Sequence, residues 1–193
     1  MTTPGQPRPT PTDPLAVLDS DALPGPARTW LREAAASVAV RPNALRVLFP
    51  AARRRCGQER LDAYWTVDEA ARAVLLAALP YRGRALADQV TALYHHGGPA
   101  EQRAVLKALP CLGERGAEGE AVEGDGRGER EAFTAPALDL VREALRGDDT
   151  SVVQAALGPF AAAHLPDDEY RQAVLMCVRS GIPLARVAFP EEA

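Results

Sequence analysis

Proline and glycine recur through this chain at intervals that leave room only for short helices, and between these breaks the apolar residues keep a helical period. The segment opened by Gly25 and Pro26 puts Trp30, Leu31, Ala34 and Val38 on one side and stops at Pro42. The next one carries Leu45, Leu48, Phe49, Ala52 and Cys56 on a face. Asn43 is expected to cap its start and Gly57 to end it. Pro50 should kink it, because the ring clashes with the carbonyl four residues earlier at a cost of roughly 3 kcal/mol. The clearest start signal is Thr66 followed by Glu69, a capping box in which each side chain satisfies an amide that the helix leaves open. Ala71, Val74, Leu75, Ala78 and Leu79 follow on one face, and Pro80 closes it.

The same reading continues along the chain. Residues 84–96 repeat the pattern through Leu86, Val90, Leu93 and Tyr94, and residues 99–109 through Val105, Leu106 and Leu109. A helix is expected to start near Pro136, with Leu138, Val141 and Leu145 on its face and Gly147 at its end. Another runs from about Asp149 to Leu157, and a last one from Asp167 to Ser180, with acids in its first turn and Gly181 and Pro183 beyond it. Helices of about 10 to 16 residues joined by tight turns pack as antiparallel neighbours. The expected fold is all-α: stacked antiparallel helical hairpins, arranged as an irregular HEAT-like α-solenoid or as a bundle.

Composition agrees and narrows the function. Hydrophobic residues make up 47% of the 193 but aromatics only 5%, so the apolar content is largely Ala and Leu, which favours helix over strand. A formal net charge of −4 argues against a general nucleic-acid binder, which needs a positive field for phosphate contacts. Three widely spaced cysteines without a Cys-x-x-Cys pair suit a reducing compartment. The N-terminus lacks the basic and apolar regions of a secretory signal, and no apolar run is long enough to span a bilayer; the expected location is the cytoplasm. Lys107 is the only lysine, so much of the arginine content reads as the bias of a GC-rich genome. Residues 1–22 are expected to be a disordered Pro/Thr-rich leader with a short helical turn at "PLAVLD". Residues 23–188 form a single helical domain with a flexible Gly/Glu-rich insertion at 113–131, and 189–193 a tail.

Few side chains suggest chemistry. His95 and His96 close a helix, with Gly97 as an expected left-handed cap, Gly98 as the next N-cap and Pro99 opening the helix after it. Adjacent residues diverge by about 100° on a helix, so the pair suits one metal poorly, and the helix-end reading is favoured over a metal or acid/base site. Arg53, Arg54 and Arg55, with Arg46 and Arg60 near, could take an anionic ligand or a lipid headgroup, or simply complement a helix C-terminus. Asp167, Asp168 and Glu169 suit a helix N-terminus. Cys56, Cys111 and Cys177 sit in apolar settings and read as packed. No phosphate loop, dinucleotide fingerprint, serine elbow or zinc spacing occurs, and no cofactor is expected.

The last third is more specific. Residues 145–187 resemble the EboA family of bacterial proteins. Arg146 matches that family's opening arginine, Gly158-Pro159-Phe160 its helix break, and Tyr170, Gln172, Val174 and Leu175 its later helix, with Pro183, Leu184 and Arg186 at the exit. Upstream, "FPAARRRCG", "WTVDEAARAVLLAALP" and "EQRAVLKALP" are similar to further landmarks, so the likeness covers most of residues 30–187. Departures fall at Gly147-Asp148, Arg171 and Met176, and the chain lacks the family's terminal helix. The resemblance implies a non-catalytic binding or scaffold protein in a system that moves natural-product precursors, gripping an apolar or prenylated small molecule. Its partners would be proteins of the same pathway, among them a membrane prenyltransferase. The alternatives are an enzyme of that pathway acting on an anionic or prenyl substrate, and a generic HEAT-like adaptor. The ligand or anion contacts to test are Arg53, Arg54, Arg146, Tyr170, Gln172, His95 and His96.

Overall fold

The computed structural model describes residues 13–114 and 125–182, and among them the fold is all-α. A 3-10 helix, Pro14–Asp19, precedes α1 (Gly25–Val40), and a second, Pro42–Ala44, joins α1 to α2 (Leu45–Cys56). Then come α3 (Val67–Ala77), α4 (Gly83–His96), α5 (Pro99–Glu114) and α6 (Asp125–Leu145). Three shorter helices close the series: α7 (Thr150–Ala156), α8 (Pro159–His164) and α9 (Asp167–Arg179). Strand-like pairing among the described residues is limited to one bridge between Arg60 and Thr66.

The helices stack in two layers. α1, α3, α5 and α7 pack in succession as one layer; α4, α6 and α8 succeed one another in the second, and α2 opens it. Neighbours α2 and α3, α4 and α5, and α6 and α7 join the layers. The most extensive pairing is between α4 and α6. Gly83 permits it: a Cβ there would lie 3.3 Å from the Glu129 carbonyl oxygen, and its φ of +49° disfavours any side chain. α9 sits at the far end on a small separate cluster of Val153, Leu157, Cys177 and Ile182.

α3 is the centre. Every residue from Val67 to Leu76 is buried, so this helix has no solvated face for its charges, and Asp68, Glu69 and Arg72 are enclosed with it. Each is paired. Arg72 reaches toward α2, with Nη1 2.6 Å from Asp68 Oδ2, Nε donating to the Phe49 carbonyl at 3.1 Å, and its guanidinium 5.6 Å from the Phe49 ring centre. Glu69 reaches toward α5. Oε1 accepts from Arg103 Nε at 3.1 Å, and Oε2 accepts from Lys107 Nζ at 2.6 Å and from the Thr66 amide at 3.2 Å, the last being the expected capping box. Lys107 also donates to the Tyr64 carbonyl at 2.7 Å and lies 5.3 Å from that ring's centre. Arg103 extends the chain of bonds to the Ser151 hydroxyl at 3.1 Å, which donates to Asp149, the N-cap of α7.

Several boundaries differ from expectation, each for a packing reason. Pro110 and Pro136 lie inside α5 and α6, so neither ends nor starts a helix. The neighbouring Leu109, Leu112, Phe133, Ala137 and Leu140 are all buried, and their packing outweighs one missing backbone donor at each proline. Both ends of the expected insertion at 113–131 are helical, since α5 runs to Glu114 and α6 begins at Asp125; residues 115–124 lie outside the described residues, as do 1–12 and 183–193. Residues 13–22 are not part of a disordered leader. Val17 in the Pro14–Asp19 turn is fully buried, the turn packs on α3, and Asp13 caps it through the Leu15 amide at 2.9 Å. Asn43 is no N-cap, since it falls within the 3-10 turn that runs straight into α2.

Lys107→Met would leave Glu69 enclosed with a charge only partly matched. The expected loss is about 3–5 kcal/mol of unfolding free energy, read as a lower urea midpoint at unchanged slope. A loss below about 1 kcal/mol would mean that solvent already screens the pair.

Candidate functional site: a groove between α2 and α4

By position, α2 should pack on α4 as α4 packs on α6, yet the two barely touch. α2 is held by α3, α4 by α6, and the gap left is a groove of about 280 Å³. One wall is Pro42, Leu45, Arg46, Phe49 and Pro50, and the other is Gln89, Ala92, Leu93 and His96. Each set recurs at three- and four-residue steps, so each is one face of its helix. Asn43, Gly97 and Glu101 complete the lining.

The floor is rigid and the rim polar. Phe49, 2% exposed, is held from behind by Arg72 through both its carbonyl and its ring. Pro50 has no amide hydrogen to give the Arg46 carbonyl, the partner that helical geometry assigns it, so the groove wall carries a backbone acceptor without its i+4 donor. His96 Nδ1 lies 2.7 Å from the Ala92 carbonyl oxygen. A carbonyl only accepts, so Nδ1 bears the hydrogen, and Nε2 of the neutral ring is left as an acceptor. Glu101 is engaged at the start of α5, where Oε2 accepts from the Gly98 amide at 2.7 Å. Gly97 is extended (φ −87°, ψ 152°) and not the expected left-handed cap. Glycine is needed there for room, since a Cβ would come within 2.9 Å of the Glu101 Cβ and 3.0 Å of the Leu93 carbonyl oxygen.

The structure separates the residues singled out in the sequence. His95 turns the other way from His96: its Nε2 lies 3.0 Å from Glu143 Oε2, linking α4 to α6. Of the seven candidate contacts only His96 lines the groove. Arg53 and Arg54 are exposed in the last turn of α2, Arg146 is exposed just after α6, and Gln172 is exposed on α9. The Tyr170 hydroxyl donates to the Leu157 carbonyl at 3.2 Å, fixing α9 to the end of α7. Glu169 forms a two-point bridge to Arg142, at 2.7 and 3.0 Å, and that bond holds its carboxyl below the ordinary carboxylate range. Among the described residues no three His, Cys, Asp or Glu side chains gather as a metal site.

The groove itself escaped the sequence reading apart from His96 and Arg46, because it is made by a contact that does not form. Its one signal was Pro50, a proline kept within a helix. Comparisons of the chain with protein-family models, with curated proteins and with solved structures return no match.

None of the cysteines is a ready nucleophile. Burial, aided by Asp68, pushes the Cys56 thiol up to about 11, and burial, aided by Asp13 and Glu114, does the same for Cys111. Burial alone raises Cys177. A thiol that holds its proton more tightly when folded contributes stability in full below the unfolded value of 9.0, and loses it as the pH rises toward about 11. Urea midpoints measured across that interval should therefore fall more steeply for the natural protein than for Cys56→Ala. Equal slopes would show that Cys56 titrates as a solvated thiol.

Proposed function

We propose that this protein is a helical binding protein of the kind the EboA resemblance implies, a carrier or scaffold for an apolar, prenyl-type precursor. On this reading it works in the cytoplasm beside the enzymes of its pathway, a membrane prenyltransferase among them. The observation that carries the reading is the mixed lining of the groove. Leu45, Phe49, Leu93 and the prolines at 42 and 50 offer an apolar body, while Arg46, Asn43, Gln89 and His96 stand where one polar end could be read.

The size and rigidity of the site favour binding over chemistry. About 280 Å³ is at the small end for a ligand pocket and suits a short chain or the end of a longer one. His96 and Glu101 are both tied to backbone groups of their own helix ends, so neither is aimed at the other as an acid/base pair. Among the described residues no helix is long and apolar enough to cross a membrane.

Titrating the labelled protein with geraniol and with decanoic acid while recording amide spectra tests the reading. Shifts should concentrate on residues 42–50 and 89–97. Ala92→Trp, which fills the groove from an exposed position, should abolish them for both probes. Arg46→Gln should weaken the acid and spare the alcohol. Shifts scattered over the surface, or unchanged in Ala92→Trp, would remove the groove as a binding site.

A further inference from the structure

Residues 34–58 hold five arginines, at 41, 46, 53, 54 and 55, and no Asp or Glu. With the whole chain at −4, the remainder therefore stands at −9. A GC-rich genome explains arginine in place of lysine, but it does not explain the loss of every acid from one stretch. Nor does the helix dipole. It accounts for Arg53 to Arg55 in the last turn of α2, whereas Arg46 stands in the first turn, where a cation is disfavoured. Among the described residues, Arg46, Arg53 and Arg54 have no acidic partner, so their charge is left to the surface.

Large apolar side chains are exposed on this helix and at the end of the one before it. Val47 is 74% exposed, and Val40, at the end of α1, is 81% exposed. At about 100° per residue, Arg46, Val47, Pro50, Arg53 and Arg54 fall within roughly one third of the circumference of α2. The buried Leu45, Phe49, Ala52 and Cys56 occupy the adjoining arc of the helix.

We propose that this face of α2 docks the protein on an anionic membrane surface, with the arginines on lipid phosphates and Val47 entering the headgroup layer. A basic helix face interleaved with apolar residues matches a lipid interface. Nucleic acid would use the arginines but give Val47 nothing to contact, and the negative remainder of the chain would oppose wrapping by a polyanion. That same remainder favours an orientation with this face toward the bilayer. Docking does not depend on the groove reading. If both hold, the groove opens beside the membrane, since Arg46 and Pro50 belong to both.

Flotation of the full chain with vesicles of phosphatidylcholine alone and of phosphatidylcholine mixed with phosphatidylglycerol tests the proposal. Binding should appear only with the mixed vesicles and should fade between about 0.15 M and 1 M salt as screening shortens. Arg53→Gln and Arg54→Gln should each weaken it about fivefold, and Val47→Ser should weaken it further. Arg127→Gln, at an exposed arginine paired with Glu131 on α6, should not change it. All are surface positions, and unchanged helicity and urea midpoint would exclude misfolding as the cause. Failure to bind the mixed vesicles, equal binding to both kinds, binding indifferent to Arg53→Gln with Arg54→Gln, or tighter binding to duplex DNA would overturn the proposal.

Discussion

One carboxylate, that of Glu69, holds together parts of the chain that are far apart in sequence. It is 2% exposed and meets Lys107 and Arg103 on α5 and the amide that begins its own helix. An enclosed carboxylate without partners would cost several kcal/mol, so the position of α5 against α3 is constrained by charge as well as by the apolar residues around it. Through Arg103 and Ser151 the constraint passes on to the start of α7. Three of the four helices of the first layer are thus registered by one connected set of bonds.

The groove is a consequence on the other side of the same helix. Arg72 fixes α2 to α3 by gripping Phe49, while α4 is drawn away to α6. Two strong attachments pull the neighbours α2 and α4 toward different partners, and the space between them stays open. The site owes its rigidity to this, because its floor residue is clamped by the buried core and does not depend on the ligand for its place.

The helices could be read in the sequence because their signals are local. Three- and four-residue periodicity, the Thr66 and Glu69 box and the breaks at Pro42 and Pro80 all act within one turn. Where a local signal competed with packing, packing won. Pro110 signals an end and Pro136 a start, but the helices run through both because apolar neighbours on both sides are buried. Glu69 was legible as a cap and illegible as an ion-pair centre, since its partners lie 34 and 38 residues away. A lone lysine among arginines was the available hint: a compact ammonium with three donors suits a crowded site that a planar guanidinium would not. The histidine pair was read correctly as a helix end, but nothing in its spacing could tell that one ring would face α6 and the other an open groove.

The solitary lysine also sets how this protein meets amine chemistry. Its single ε-amino group is committed to a carboxylate, a carbonyl and an aromatic face, and the side chain is only 17% exposed. Reagents or enzymes that acylate lysine find no alternative side chain on the surface, and to reach this one they must break contacts that join α3 to α5. The rate at which Lys107 becomes acylated is therefore a clock for the opening of the innermost helix pair, built into the chain without any added label.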